Sequence, residues 1–222
     1  MCSTIITIRE LNLGKLSVIL ASSSSRRHWL LAKLGVQHQV IHPKIDEYFD
    51  PLESDWPSIV TRLAEEKARS VKEFCPQSLI LGADTIVVYN GVGIGKPKSI
   101  QEARRILKDL RGQVHKVATG ITLIDTRNDS FQSIHTETTV TMREYTNQEI
   151  ETFLDSGAPM DKAGGYSIQD PIFQPAASVH GCYTNVIGLS LCLLGPILNQ
   201  KDISVDSRVA SQLCGNCAVP TN

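Results

Sequence analysis

With 222 residues, 41% of them apolar and 20% charged, the chain has ordinary globular composition and room for one large domain or two small ones. Its 22 basic and 23 acidic residues leave a formal charge of -1, so no global field draws it onto nucleic acid or an anionic membrane, and any phosphate site must be local. The longest apolar stretches, such as residues 186–198, fall short of the ~18 residues of a membrane span and contain Gly and Pro. Residues 1–15 lack the basic start, apolar core and cleavage site of a secretory signal, so a cytoplasmic protein is expected. Six cysteines are scattered, which argues against a disulfide framework. Cys214-Gly-Asn-Cys217 has half the spacing of a zinc or redox motif, with no second Cys/His pair nearby in sequence, and is read as two free thiols in a polar tail.

Residues 17–21 read as a buried strand. Ser22-Ser23-Ser24-Ser25-Arg26-Arg27 follows, then a helix with Leu30, Leu31 and Leu34 at helical spacing and Gly35 as its stop. A hydroxyl-rich turn at a helix N-terminus, with two arginines beside it, is a candidate phosphate cradle. It is no Walker loop, because no Gly-Lys-Ser/Thr follows. Residues 39–42 form a second short strand, and Asp46 and Glu47 lie in the loop beyond it, an acid pair that means little without a partner. A helix is predicted from about Trp56, with Pro57 in its first turn, to about Phe74. Lys67 falls on its apolar face beside Leu63, Ala64, Ala68 and Val71, either snorkelling or reaching into an anionic site.

Leu79-Ile80-Leu81-Gly82-Ala83-Asp84-Thr85-Ile86-Val87-Val88 is a buried strand holding one carboxylate, a costly placement unless Asp84 is paired or metal-bound. Asn90-Gly91 signals a hairpin that returns Gly95-Lys96-Pro97 beside Asp84, making Lys96 another candidate cation. Ser99 and Glu102 read as a capping box opening a helix through Leu110. Residues 115–126 and 133–143 are predicted antiparallel strands, and Thr146 with Glu149 opens a further capped helix. A Gly-rich loop, Asp161-Lys162-Ala163-Gly164-Gly165-Tyr166-Ser167-Ile168-Gln169, precedes a closing helix through about Leu198. The expected architecture is mixed α/β, with one elongated mixed sheet flanked by helices in two lobes around a cleft. Residues 1–16 form an extension, 17–198 one domain, and 199–222 a polar tail.

Taken together, Leu20-Ala21-Ser22-Ser23-Ser24-Ser25-Arg26-Arg27, Ile45-Asp46-Glu47, Glu66-Lys67-Ala68, Gly82-Ala83-Asp84-Thr85, Gly95-Lys96-Pro97, the 161–169 loop and Asn185-Val186-Ile187-Gly188-Leu189 resemble, in order and spacing, the Maf family of nucleotide pyrophosphatases. The resemblance implies an inosine-triphosphatase-like fold and a metal-dependent hydrolase cleaving a nucleoside triphosphate between the α and β phosphates. It implies Asp84 as proton acceptor, with Glu47 joining it at a divalent cation: magnesium first, manganese or cobalt as alternatives. Lys67 completes the catalytic set, and Ser22, Ser24, Arg27, Lys67 and Lys96 hold the phosphates. Arg26, Thr85 and Gln169 correspond to base-selecting positions of the branch that prefers dTTP and UTP, and a Gln amide offers the donor and acceptor that the O4 and N3–H edge of those bases requires. The alternatives are a pyrophosphatase acting on 7-methyl-GTP or another modified nucleotide, and a nucleotide-binding regulator of septum formation. A homodimer is also implied, with neither nucleic acid nor membrane as partner. Three departures are Ser25 and Ser190 where the family has Pro, and Asp170-Pro171-Ile172-Phe173-Gln174-Pro175 in place of a Gly-rich continuation beside Gln169.

Overall fold

Apolar β-formers in the middle of the chain nucleate one long strand, and the other elements are placed by it. In the computed structural model, which describes residues 16–214, this central strand is β3 (Ser78–Tyr89), preceded by β1 (Ser17–Ala21) and β2 (Gln39–Ile41) and followed by β4 (Val92–Ile94), β5 (Val114–Asp125), β6 (Ser130–Met142) and β7 (Ala176–His180). They form one seven-stranded mixed sheet in the order β2-β1-β3-β5-β6-β7, with β4 also on β3. β2 and β1, and β1 and β3, pair in parallel; the remaining pairs are antiparallel.

The register leaves a gap. On one edge β3 pairs with β5 from Leu79 to Val88. On the other, β1 covers Ser78 to Gly82 and β4 covers only Val87 to Tyr89. Residues 83–86 therefore present an edge without a ladder partner, where backbone groups and side chains are open to a ligand. Asp84 and Thr85 stand in this gap.

Successive β3 side chains point to opposite faces. One face is covered by α2 (Trp56–Ser70), whose Val60, Leu63 and Ala68 pack on Ile80, Ile86, Ala118 and Ile124. The approach is close because two glycines permit it: a Cβ on Gly82 would lie 2.1 Å from the Ala64 carbonyl oxygen, and one on Gly120 2.3 Å from that of Val60. The other face carries two separate cores. α1 (Ser25–Lys33) and α6 (Leu191–Gln200) cover Leu79, Leu81, Ala83, Ile121 and Leu123; α3 (Ile100–Leu110) and α4 (Asn147–Asp155) cover Val87, Val117, Val140 and Met142. Between them lies α5 (Tyr183–Ile187), and there the face is polar, with Thr85 and Thr119 paired through their hydroxyls at 2.9 Å. These are the two lobes and the cleft.

Several boundaries differ from expectation. α1 begins three residues earlier than predicted because the Ser24 hydroxyl caps it, accepting the Arg27 N–H at 3.4 Å. α2 stops at Ser70, and a 3-10 turn, Lys72–Phe74, completes the stretch. Ser99 caps α3 as predicted, but Glu102 takes the N–H of Lys98 at 2.8 Å, so the reciprocal bond of a capping box is not made. At α4 the full box forms. β7 was not anticipated, and the closing helix is two, α5 and α6, separated at Gly188 (φ +123). The stretch read as a polar tail contains a helix, α7 (Ser207–Cys214), whose Val209, Ala210 and Leu213 pack on the α1/α6 core. Cys217 lies outside the described residues.

Candidate active site

All ten residues singled out in the sequence line one cleft of about 1140 Å³: Ser22, Ser24, Arg26, Arg27, Glu47, Lys67, Asp84, Thr85, Lys96 and Gln169. Asp84 is on the α2 face of β3 and only 6% exposed. The close seat of α2 on Gly82 brings Lys67, 3% exposed, directly over it, and the two are ion-paired. Lys67 also reaches Glu47 at 2.9 Å, and the second Glu47 oxygen takes Lys96 at 3.2 Å. Lys67 therefore reaches into an anionic site rather than snorkelling, and Glu47 gains the partners its sequence context lacked. Burial raises the Glu47 carboxyl, but the ammoniums of Lys67 and Lys96 outweigh it and hold the group below its ordinary value, ionised near neutrality.

On the opposite face stands Arg27, buried at 8% exposure. Its Nε donates to the Gly188 carbonyl at 2.8 Å, Nη2 to the Thr85 hydroxyl at 2.9 Å and Nη1 to the Ser22 hydroxyl at 3.4 Å. Burial lowers its pKa, with Asp84 and Glu47 opposing, yet a guanidinium stays charged. Three of its five N–H groups are spent on the fold, and two remain for a ligand. The Thr85 hydroxyl is thereby engaged with Arg27 and Thr119. Gly188 is required at its position, since a Cβ would lie 3.4 Å from Arg27 Nε on a backbone of positive φ.

Arg26 pairs with Asp161 at 2.9 Å, linking the serine turn to the 161–169 loop. That loop is shaped by two 3-10 turns, Ala158–Asp161 and Ala163–Gly165, and anchored by Tyr166, whose hydroxyl lies 2.7 Å from His115 Nε2. Among the described residues nothing hydrogen-bonds the Gln169 side-chain amide, which leaves it free to meet a ligand. The divergent segment after it does not line the cleft: Asp170 Oδ1 accepts the N–H of Ile172 and Phe173, and the Phe173 ring stacks on Phe153 at 4.4 Å in the α3/α4 core. Sequence reasoning missed Asn185, although it lies in a quoted motif. Its Nδ2 donates to the Val117 carbonyl and the Thr138 hydroxyl, each at 2.9 Å, while its backbone carbonyl accepts the Thr119 hydroxyl at 3.1 Å. These bonds tie α5 to the sheet and so fix Gly188 beneath Arg27.

A buried acid, Asp84, and an exposed one, Glu47, converge on Lys67 at a break along one edge of the mixed sheet of an α/β protein. Comparison with known proteins gives the family: residues 17–201 match the model of the family described as Maf-like protein, and the chain belongs to it. A dTTP/UTP pyrophosphatase of Thermomicrobium roseum is 40% identical over 205 residues, covering 91% of this chain and 93% of that protein. One of Alkaliphilus metalliredigens is 44% identical over 185 residues (82% and 95%), and one of Dictyoglomus thermophilum 38% over 191 (86% and 99%). Among solved structures, a nucleoside-triphosphatase / dITP/XTP pyrophosphatase of Mycobacterium abscessus matches with a TM-score of 0.35 and 8% identity, over 57% of this chain and 74% of that one. Among the described residues no helix is long and apolar enough to cross a membrane.

Proposed function

We propose that this protein hydrolyses dTTP and UTP between the α and β phosphates, releasing the nucleoside monophosphate and pyrophosphate. The observation that carries the reading is the convergence of Asp84 and Glu47 on Lys67 at the open edge of β3, with Arg27, Lys96 and the serine turn around them. The names borne by relatives at 38–44% identity supply the substrate class.

A triphosphate carries about four negative charges near neutral pH, and Arg27, Lys67 and Lys96 offset most of them with directed N–H donors. The Ser22 and Ser24 hydroxyls and the N-terminus of α1 add neutral donors. Both carboxylates present hard oxygen ligands to the same point, and a donor set of that kind fits a divalent cation such as magnesium better than a soft metal. Glu47 and Asp84 would hold it, and when bound it supplies charge neutralisation at the phosphoryl oxygens. Asp84 takes the proton of the attacking water; the water oxygen bonds to phosphorus as the bridging P–O bond breaks and pyrophosphate departs. Lys67 orients both acids before the substrate arrives. Gln169 and Arg26 meet the base, and Thr85 positions Arg27.

Pyrophosphate release from dTTP, UTP, CTP, GTP, ATP and 7-methyl-GTP, with and without magnesium, tests the proposal. Metal-dependent turnover highest on dTTP and UTP is expected; a maximum on another base would discard the substrate assignment, and no turnover on any of the six would discard the reaction.

A further inference from the structure

Behind Arg27 a chain of hydroxyls runs from the cleft into the core and ends on a residue that does not line the cleft. Thr85 on β3 and Thr119 on β5 stand opposite each other in the sheet register, and opposed residues of an antiparallel pair point to the same face. Their hydroxyls are 2.9 Å apart. The Thr119 hydroxyl also donates to the backbone carbonyl of Asn185 at 3.1 Å, while Thr85 accepts Arg27 Nη2 at 2.9 Å. Thr119 and Asn185 are both 0% exposed, so no water can stand in for either partner.

The polarity of the chain follows from its two ends. A carbonyl only accepts, a guanidinium N–H only donates, and each hydroxyl has one proton to give. Thr119 spends its proton on Asn185, so it accepts from Thr85. Thr85 spends its proton on Thr119, so its oxygen faces Arg27 purely as an acceptor. The second support of Arg27 ends on the same atom: Nε donates to the Gly188 carbonyl at 2.8 Å, and the Gly188 N–H donates to the Asn185 carbonyl at 2.9 Å. The two lone pairs of that one buried oxygen therefore close a circuit around the guanidinium.

We propose that Thr119 is a positioning residue for the polyphosphate site: it holds the proton of Thr85 inward and thereby sets the orientation of Arg27 toward the phosphates. The proposal rests on the reading of Arg27 as a phosphate-holding group. Without the Thr119 hydroxyl the Thr85 proton loses its acceptor. It then turns toward Arg27, where two donors face each other, or into the cleft, and in either case the Nη2 bond is weakened.

Steady-state kinetics on dTTP and calorimetric binding of inorganic tripolyphosphate, both with magnesium and the full chain, test this. Thr119→Val should raise KM and the tripolyphosphate Kd by ~3–10-fold, the size of one net hydrogen bond, with kcat within about twofold of wild type. Thr119→Ser should restore both constants. In a Thr85→Val background the relay is already cut, so adding Thr119→Val should change KM by less than about twofold, an interaction that a merely structural threonine would not show. Thr122, equally buried on β5, bonds Ser133 and the Thr61 carbonyl instead, so Thr122→Val should leave both constants unmoved. Should Thr119→Val not fold, Thr119→Ala removes the same hydroxyl without pressing a methyl on the Asn185 carbonyl and is read the same way. Wild-type constants in the folded Thr119 variant, a full multiplicative effect in the double variant, an equal effect from Thr122→Val, or no tripolyphosphate binding by the wild type would each overturn the assignment. Tripolyphosphate binding that follows the expected pattern in a chain that turns over no nucleotide would keep the relay and discard the hydrolase reading. Normal dTTP turnover with both constants unmoved in Thr119→Val would do the reverse.

Discussion

Lys67 lies over Asp84 as an ion pair between a helix and the strand it covers, 17 residues apart in sequence, with both side chains nearly excluded from water. The two halves of such a pair are not equivalent. In Asp84→Asn the amide oxygen still accepts from Lys67, and Glu47 still balances its charge at 2.9 Å, so the fold should survive. Turnover should fall at least ~100-fold, the scale of a positioned acid or base. Lys67→Met instead strands a buried carboxylate and should cost ~3 kcal/mol or more in unfolding free energy. Urea denaturation and pyrophosphate release on the two variants check the contrast; near-wild-type turnover in Asp84→Asn would remove Asp84 from the chemistry.

The lysine is in place only because Gly82 lets α2 settle onto β3. A methyl group there meets the Ala64 carbonyl at 2.1 Å and the Ala68 side chain at 3.0 Å. Gly82→Ala should therefore lift α2, with a stability loss of about 1–3 kcal/mol from overpacking. Lys67 moves with the helix, so kcat should drop although no charged group has changed. An equally stable and active Gly82→Ala enzyme would show that the contact is slack.

Much of this was legible from residue order. The apolar run around Asp84, the Asn90-Gly91 turn and the Thr146 box each carry their geometry locally, and strand, hairpin and cap follow within a residue or two. The Lys67–Glu47 pairing was not readable from either motif, since each looks like ordinary solvated charge until α2 and the 44–49 loop are brought to the same gap. β7 was invisible because its sequence, Ala-Ala-Ser-Val-His, has little apolar alternation and takes its structure from pairing with β6. The cluster of Cys182, Cys192 and Cys214 was hidden for a similar reason: its members belong to three helices, and spacing along the chain says nothing about packing across it.

Thr85 makes its contribution through Arg27, whose Nη2 it accepts at 2.9 Å. Thr85→Val keeps the shape but leaves one N–H of a buried guanidinium without an acceptor. Arg27 retains Gly188 and Ser22, so the fold should survive with a stability loss of about 1–3 kcal/mol for the unpaired N–H, while KM for dTTP should rise on the order of tenfold, about the ~1.5 kcal/mol of a hydrogen bond to a charged group. Thr85→Ser restores the hydroxyl and should restore KM. A change in preference between dTTP and CTP, with KM for both otherwise unmoved, would instead place Thr85 at the base.

His115 sets a pH dependence of stability distinct from that of turnover. It is 3% exposed, its Nε2 meets Tyr166 and its Nδ1 has no partner among the described residues, so burial favours the neutral ring and pushes its pKa from 6.5 to about 4. Between those values the unfolded chain binds a proton that the folded chain refuses, so stability falls as pH drops through this window and is fully present above it. From pH 7 to pH 5 the loss from this one residue is about 2 kcal/mol. Unfolding free energies of the wild type and His115→Gln at the two pH values isolate it: the Gln amide can still reach Tyr166 but does not titrate, so the variant should lose about 2 kcal/mol less on acidification. Parallel losses in the two proteins would assign the acid sensitivity elsewhere.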